Sequence, residues 1–134
     1  MISTPGGMRF RRDADMPHVV LVGELDLAKI FASLEPFTER AGSTIMKTSG
    51  AYLERGGNAI VVEAAAIENG KGTNFLVPVS KRDDGLVVRL HPSLNVEKTD
   101  GVKRLLALLA KRIVSLSPGL AVGKTNLQEF LEEA

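Results

Sequence analysis

Two histidines are the residues of this 134-residue chain best suited to acid–base or metal chemistry. His18 precedes one apolar run and His91 follows another. Catalysis or metal binding by an imidazole needs a carboxylate or a second ligand nearby, and the sequence places none beside either histidine. His91 shares strand parity with Arg89 and Ser80, so these three side chains are a candidate for a small anion site. An exposed strand end is the simpler interpretation.

Three carboxylates are candidates for catalysis or cation binding. Asp83 and Asp84 fall at a predicted hairpin turn, where local backbone hydrogen bonds explain them without a metal. Two adjacent carboxylates also supply too few oxygens for calcium. Glu63 faces away from the predicted core at mid-strand, and no partner that would make it a general base is identifiable. We therefore expect no catalytic residue, metal site or cofactor, and an enzyme is the weakest of three functional interpretations, because no nucleophile, base and orienting residue can be assembled.

The segment Gly123-Lys124-Thr125 has the last residues of a phosphate-binding P-loop. That motif requires a glycine five residues before the Gly-Lys pair and a strand leading into it. Pro118 occupies this position, and a predicted helix leads in. We interpret the segment as a loop that ends in a helix cap.

Basic residues cluster in two segments: Arg9, Arg11 and Arg12 near the N-terminus, and Lys103, Arg104, Lys111 and Arg112 in a predicted helix. They make nucleic-acid binding an alternative function. Against it, the net charge is +1, and the chain has no Trp and one Tyr for base stacking. A solvated helix face is the simpler interpretation, with Leu108 as a lone exposed leucine on it.

Length and composition place these residues in one soluble domain. The chain of 134 residues is 44% hydrophobic and 25% charged, as is ordinary for a globular protein. Residues 1–134 are predicted to form a single domain, with residues 1–7 as a mobile arm because of their loop composition. The chain has no cysteine and no apolar run of about 20 residues. We expect a cytoplasmic protein that does not enter the membrane.

The region from Ala59 to Pro92 is organised by turns. Asn69-Gly70 is typical of a two-residue type I′ turn, which pairs three sets of apolar residues on one face: Ala64 with Phe75, Val62 with Val77 and Ile60 with Val79. A turn at Asp84-Gly85 is predicted to place Val79 opposite Leu90 and Lys81 opposite Val88. A turn at Gly56-Gly57 is predicted to place Leu53 opposite Ile60 and Ala51 opposite Val62. The predicted strands are 44–54, 59–68, 73–81 and 86–91.

These registers contain one conflict. Two perfect two-residue turns would require Val77 and Val79 to hydrogen-bond to both neighbouring strands, which an alternating ladder forbids. Pro78 lies between them and has no N–H to donate. We therefore expect a β-bulge at Pro78, with a shift of one residue in the pairings beyond it.

Helices are predicted on both sides of these strands. A strand over residues 18–23 precedes a helix that Asp26 caps and that Pro36 kinks or breaks. Phe37 to Ala41 is interpreted as a further helical turn closed by Gly42. Thr99 or Asp100 caps the next helix, whose apolar arc is Val102, Leu105, Leu106, Leu109, Ile113 and Leu116. Thr125 and Gln128 form a capping-box pattern for a last short helix.

The sequence therefore predicts an α+β fold with the order β-α-β-β-β-β-α-α. It consists of a four-stranded antiparallel meander, extended by the N-terminal strand in one variant, with two main helices packed on one face. This order is similar to the helix-grip and TATA-binding-protein-like folds across residues 18–117. The resemblance lies in element order alone and implies no function.

The predicted register also leaves apolar side chains on the sheet face opposite the core: Val61, Ala65, Ile67, Leu76 and Val87. A solvated face alternates to polar residues more cleanly than this. We expect a homodimer through this face, the alternative being that the N-terminal strand and the last helix cover it. The predicted ligand or interface residues are these five together with Arg89 and His91. The predicted function is a binding or assembly module that contacts a protein or a small apolar ligand.

Overall fold

The computed structural model describes residues 16–91 and 95–134 as an α+β fold. Seven antiparallel strands lie in the order β2-β3-β4-β5-β6-β1-β7. The strands are β1 His18–Gly23, β2 Thr38–Ala41, β3 Thr44–Leu53, β4 Ala59–Glu68, β5 Lys71–Arg82, β6 Gly85–Arg89 and β7 Leu120–Thr125. The described helices are α1 Leu27–Ser33, α2 Asp100–Leu116 and α3 Gln128–Glu133. The predicted arm (1–7) and the arginines at 9, 11 and 12 lie outside the described residues.

The hairpin between β4 and β5 has the predicted register. Ten consecutive residues pair without a shift, from Ala59 with Ser80 to Glu68 with Lys71. Asn69 and Gly70 have φ values of 53° and 82°, as a type I′ turn requires. The pairs that follow from the Gly56-Gly57 turn, Leu53 with Ile60 and Ala51 with Val62, are likewise confirmed.

The predicted register of β5 with β6 is wrong by two residues. Val79 lies opposite Val88 rather than Leu90, and Lys81 lies opposite Leu86. The two loop residues are Asp83 and Asp84, so odd residues of β5 bond towards β4 and even residues towards β6. This arrangement removes the hydrogen-bonding conflict, because no residue serves both neighbours. A shift of two residues keeps every side chain on its predicted face, since side chains alternate with a period of two.

The bulge expected at Pro78 is instead in β3. Pairing of β4 with β5 is continuous through Pro78, which lies opposite Val61. Pairing of β3 with β4 shifts between Thr48 and Ala51, so that two residues of β3 oppose Glu63 alone.

A strand replaces the helical turn predicted at Phe37 to Ala41. Residues Thr38–Ala41 form β2, which pairs with β3 from Lys47 to Thr44. Gly42 has φ 61° and lies in the tight turn between the two strands. The backbone N–H of Phe37 donates to the buried Thr48 hydroxyl at 3.1 Å, and Thr48 N–H donates back to the Phe37 carbonyl. These bonds extend the ladder beyond β2, and α1 ends before Pro36 because proline cannot continue the helix.

The segment Gly123-Lys124-Thr125 also differs from its prediction as a loop. It belongs to edge strand β7, which pairs with β1. Thr125 does not cap α3, whose N-cap is Leu127. Its hydroxyl donates to the His18 carbonyl at 2.7 Å and accepts from the Leu127 N–H at 2.9 Å. Thr125 therefore joins β7 to β1 at the point where α3 begins.

The remaining helix predictions are largely confirmed. Asp26 caps α1 by accepting from the Lys29 N–H, and Thr99 caps α2 by accepting from the Val102 N–H. Five of the six predicted arc residues of α2 are fully buried, but Leu116 is 40% exposed because the helix ends there beyond the sheet. Leu108 is half-buried and packs at the margin of the core, so the interpretation as an exposed leucine is wrong. No helix in the described part of the chain is long and apolar enough to cross a membrane.

Candidate interaction face

One face of the sheet carries the residues that the sequence singled out. We call it the open face: the side chains of β3, β4, β5, β6 and β1 that point away from α1 and α2. Strand pairing brings the predicted apolar residues onto it. Val61 lies opposite Pro78 and Tyr52, and Val87 lies opposite Ser80 and Val20.

The two segments that were expected to compete for the open face lie elsewhere. Strand β1 is inside the sheet, between β6 and β7. Helix α3 packs against α2, and its Phe130 and Leu131 belong to the core on the other side. Within residues 16–91 and 95–134, no helix packs on the open face.

Four of the five predicted face residues are half-buried, and the fifth, Ala65, is buried. Val61, Ile67, Leu76 and Val87 are half-buried, and Ala65 is 7% exposed. Ala65 owes its burial to its row in the sheet, because the longer Lys47 and Asn74 side chains flank it. Tyr52 is 56% exposed and is the most exposed large apolar side chain of the described chain.

The bulge in β3 organises the polar centre of the open face. Ser49 and Gly50 together oppose Glu63, whose carboxylate faces the bulge. Its Oε1 accepts from the Gly50 N–H at 3.2 Å and from the Ser49 hydroxyl at 3.4 Å. Its Oε2 accepts from the Tyr52 hydroxyl at 3.3 Å. The sequence reveals no partner for Glu63, but the bulge supplies two donors and Tyr52 supplies a third.

Gly50 makes this arrangement possible. A Cβ on Gly50 would lie 2.7 Å from Glu63 Oε1 and 2.8 Å from the Tyr52 hydroxyl. Only a residue without a side chain lets the carboxylate reach the N–H of the bulge. A glycine inside a strand pattern is a signal for a bulge or a close approach, and it is the one sequence feature that pointed to this cluster.

A shallow groove of about 500 Å³ lies beside the cluster. Its polar lining consists of Lys47, Ser49, Glu63 and Asn74, and Ala65 and Leu76 supply apolar surface. The groove therefore presents one cation and one anion on a largely apolar face. Neither Lys47 nor Glu63 takes part in the ion pairs found in the described residues.

The other two predicted site residues lie at one end of the open face. Arg89 is exposed and pairs with His18 of β1. The His18 ring Nδ1 lies 2.9 Å from the Met16 carbonyl oxygen. His91 is half-buried, just beyond the end of β6. The structure thus brings Arg89 and His18 together, but not next to the Glu63 cluster.

The basic face of α2 is engaged in contacts within the chain. Arg112 pairs with Glu39 at 2.8 Å and stacks over the Phe37 ring. Arg104 pairs with Glu133 at 2.9 Å, and this hydrogen bond raises the pKa of the guanidinium. Lys111 donates to two main-chain carbonyls at the end of α3. Three of the four helix cations of the nucleic-acid hypothesis thus hold β2 and α3 against α2.

The space between the sheet and α2 is filled by side chains. Val62, Val77 and Val79 on the sheet and Leu105, Leu106 and Leu109 on α2 are at most 2% exposed. A groove of about 170 Å³ lies at the margin, between β2, α2 and α3, with Met46, Leu108 and Phe130 among its lining residues. It is smaller than the pockets that hold drug-sized ligands.

The chain matches no protein-family model, and searches of the curated proteins and of the solved structures found no significant match.

Proposed function

We propose that the protein is a binding and assembly module that forms a homodimer through its open face. The observation that supports this proposal is that the open face carries apolar side chains but no described helix covers it. Val61, Leu76 and Val87 occupy central positions on a sheet face on which no described helix packs. Apolar faces of this size are uncommon on monomers, and a two-fold dimer is the commonest way to cover one.

The extent of the open face supports a stable contact. Strands β3, β4 and β5 have 10, 10 and 12 residues, and β6 and β1 have 5 and 6. At a rise of about 3.3 Å per residue and a strand spacing of about 4.8 Å, they span roughly 700 Å² of flat area. Side chains make the accessible area larger than the flat area, so the face approaches the roughly 800 Å² per partner of a standard interface. Tyr52 adds an exposed aromatic side chain of the kind that is enriched at interfaces.

Two alternatives from the sequence have less support. A small apolar ligand between the sheet and the helices has no space in the closely packed core. Nucleic-acid binding through α2 requires cations that are already engaged with Glu39, Glu133 and the end of α3. A cytoplasmic location, expected from the cysteine-free composition, remains part of the proposal.

Sedimentation at micromolar concentration tests the proposal. We expect the wild-type protein to sediment as a dimer, and Val61→Glu and Leu76→Glu to sediment as monomers. Circular dichroism should show that both variants remain folded, because these positions are only half-buried. The matched control is Val122→Glu, which places the same charge on an exposed valine of edge strand β7 and should leave the dimer intact.

A wild-type monomer would contradict the proposal directly. A dimer that survives both Val61→Glu and Leu76→Glu would place the interface somewhere else. The same samples, titrated with a 20-base-pair DNA duplex and a single-stranded RNA at two salt concentrations, test the alternative. Affinity that falls steeply with salt would favour nucleic-acid binding.

A further inference from the structure

The two charged residues of the groove, Lys47 and Glu63, are close neighbours on adjacent strands. Lys47 lies opposite Ala65, which is two residues from Glu63 on the same side of β4. Lys47 and Glu63 are therefore diagonal neighbours on adjacent strands, roughly 7–8 Å apart between Cα atoms. Both line the same groove, yet no ion pair joins them.

The Glu63 carboxylate is held in place but not neutralised. Its three donors are a backbone N–H and two hydroxyls, none of which carries a positive charge. A carboxylate has about four acceptor positions, so one stays available. Because the bulge fixes the carboxylate before any contact forms, a cation that binds it loses less freedom than it would at a mobile glutamate.

A groove with one cation and one anion is complementary to a copy of itself. In a two-fold dimer each contact occurs twice, because residue i meets residue j and residue j meets residue i. A two-fold axis that passes between Lys47 and Glu63 would bring each of them to its opposite charge on the other copy. The single axis produces two ion pairs, and the apolar residues around the groove exclude water from both.

We propose that Lys47 of each protomer binds the partner's Glu63, and that this reciprocal pair sets the register of the dimer. The inference rests on the proposed function, since it names the partner as a second copy of this chain. The apolar residues of the open face supply contact area but no unique orientation. A buried pair of opposite charges selects one orientation, because every other orientation leaves the charges unpaired or places like charges together.

Charge reversal tests the pair. We expect Lys47→Glu and Glu63→Lys, each alone, to raise the dimer dissociation constant at least about 100-fold, because each brings two like-charged contacts together. An equimolar mixture of the two variants should form a heterodimer, in which every contact again joins a glutamate to a lysine. Sedimentation of the two samples alone and mixed measures this directly.

The outcomes separate the two proposals. If the wild type is a monomer, the proposed dimer itself fails. If the wild type is a dimer that Val61→Glu disrupts, but the mixture of charge variants stays monomeric while both are folded, the Lys47–Glu63 pair is wrong and the dimer stands.

A second pair of variants covers the case in which Glu63→Lys disturbs the bulge. Lys47→Gln and Glu63→Gln remove one charge each and keep the side-chain size at Glu63. We expect the wild-type dissociation constant to rise between 0.05 and 1 M NaCl by about 10-fold, and each glutamine variant to lose most of this dependence. An equal salt dependence in all three proteins would overturn the inference.

Discussion

The two faces of the central sheet are built by the same strands but meet different surroundings. On the covered face, Ile60, Val62, Val77 and Val79 are 0–2% exposed beneath α2. On the open face, the alternating residues Val61 and Leu76 are half-buried, and Glu63 lies directly opposite Leu76. Adjacent residues of one strand therefore differ in environment because they point to opposite sides.

The difference arises because the helices form a layer on one side of the sheet and leave the other side without one. Helix α2 has one apolar arc, and it covers one face of the sheet. The open face carries one hydrogen-bonded polar cluster at the bulge, where Ser49, Gly50 and Tyr52 hold Glu63. The covered face is closely packed against α2. The open face instead combines apolar side chains with the carboxylate of Glu63, which three hydrogen bonds hold in place.

The largest expected difference between the two faces is in how a newly introduced carboxylate affects folding. Val62→Glu should prevent folding, because an unpaired carboxylate in the core costs several kcal/mol, a large part of the 5–15 kcal/mol that stabilises a typical domain. Val61→Glu, one residue away, should remain folded. Circular dichroism and urea denaturation of the two variants measure the contrast. Equal loss of structure in both would show that the open face is covered.

The same comparison can be made on α2 with adjacent leucines. Leu109 is fully buried, so Leu109→Ala should lower the free energy of unfolding by about 2–5 kcal/mol. Leu108 is half-buried at the margin of the core, and Leu108→Ala should cost clearly less. Chemical denaturation of both variants measures the two free energies of unfolding. Equal decreases would mean that the margin of the core around Leu108 is as tightly packed as its centre around Leu109.

A smaller effect on stability is expected in the Asn69-Gly70 turn, which sets the register of β4 and β5 and so determines which residues point to each face. Gly70→Val places a β-branched residue at φ 82° and should destabilise the protein by more than about 1 kcal/mol. Gly72 is the control, because a Cβ there would meet only the Ile67 side chain, at 3.9 Å. Gly72→Val should change stability by less than about 0.5 kcal/mol. Thermal denaturation that ranks the two variants in the reverse order would contradict the type I′ turn.

The smallest effect concerns the loop between β3 and β4. Backbone N–H groups of Gly56 and Asn58 donate to the Glu54 carboxylate and lower its pKa below the usual 4.5. A lowered pKa means that the folded state favours the charged form. The contribution to stability is present above pH 4.5 and is lost as the pH falls through the lower folded value.

Glu54→Gln should therefore be less stable than the wild type at pH 7, and the gap should narrow as the pH falls below 4.5. Because Glu54 is fully exposed, the gap is expected to be small. Denaturation midpoints at pH 7 and pH 3 provide the measurement, with Glu35→Gln as a control at another exposed glutamate. A gap that stays constant with pH would exclude this role for Glu54.

The sequence by itself determined the parts of the fold that depend on neighbouring residues. Asn69-Gly70 specified its own turn, since few residue pairs adopt positive φ at both positions. The periodicity of α2 and its cap at Thr99 followed from local rules in the same way. The alternation along β4 and β5 assigned residues to the two faces, and this assignment survived the two-residue error in the pairing of β5 with β6 because the side-chain period is two.

Tertiary structure decided what depends on distant partners. Strands β2 and β7 have weak strand patterns, and they form because β3 and β1 offer free edges for hydrogen bonding. The Glu63 cluster depends on a bulge in the neighbouring strand, 13 and 14 residues away in the chain, which no local pattern around Glu63 reveals. Burial of Leu108 and exposure of Leu116 likewise follow from where α3 and the sheet end. A sequence specifies local conformation directly, but a contact between remote residues exists only once the whole sheet is assembled.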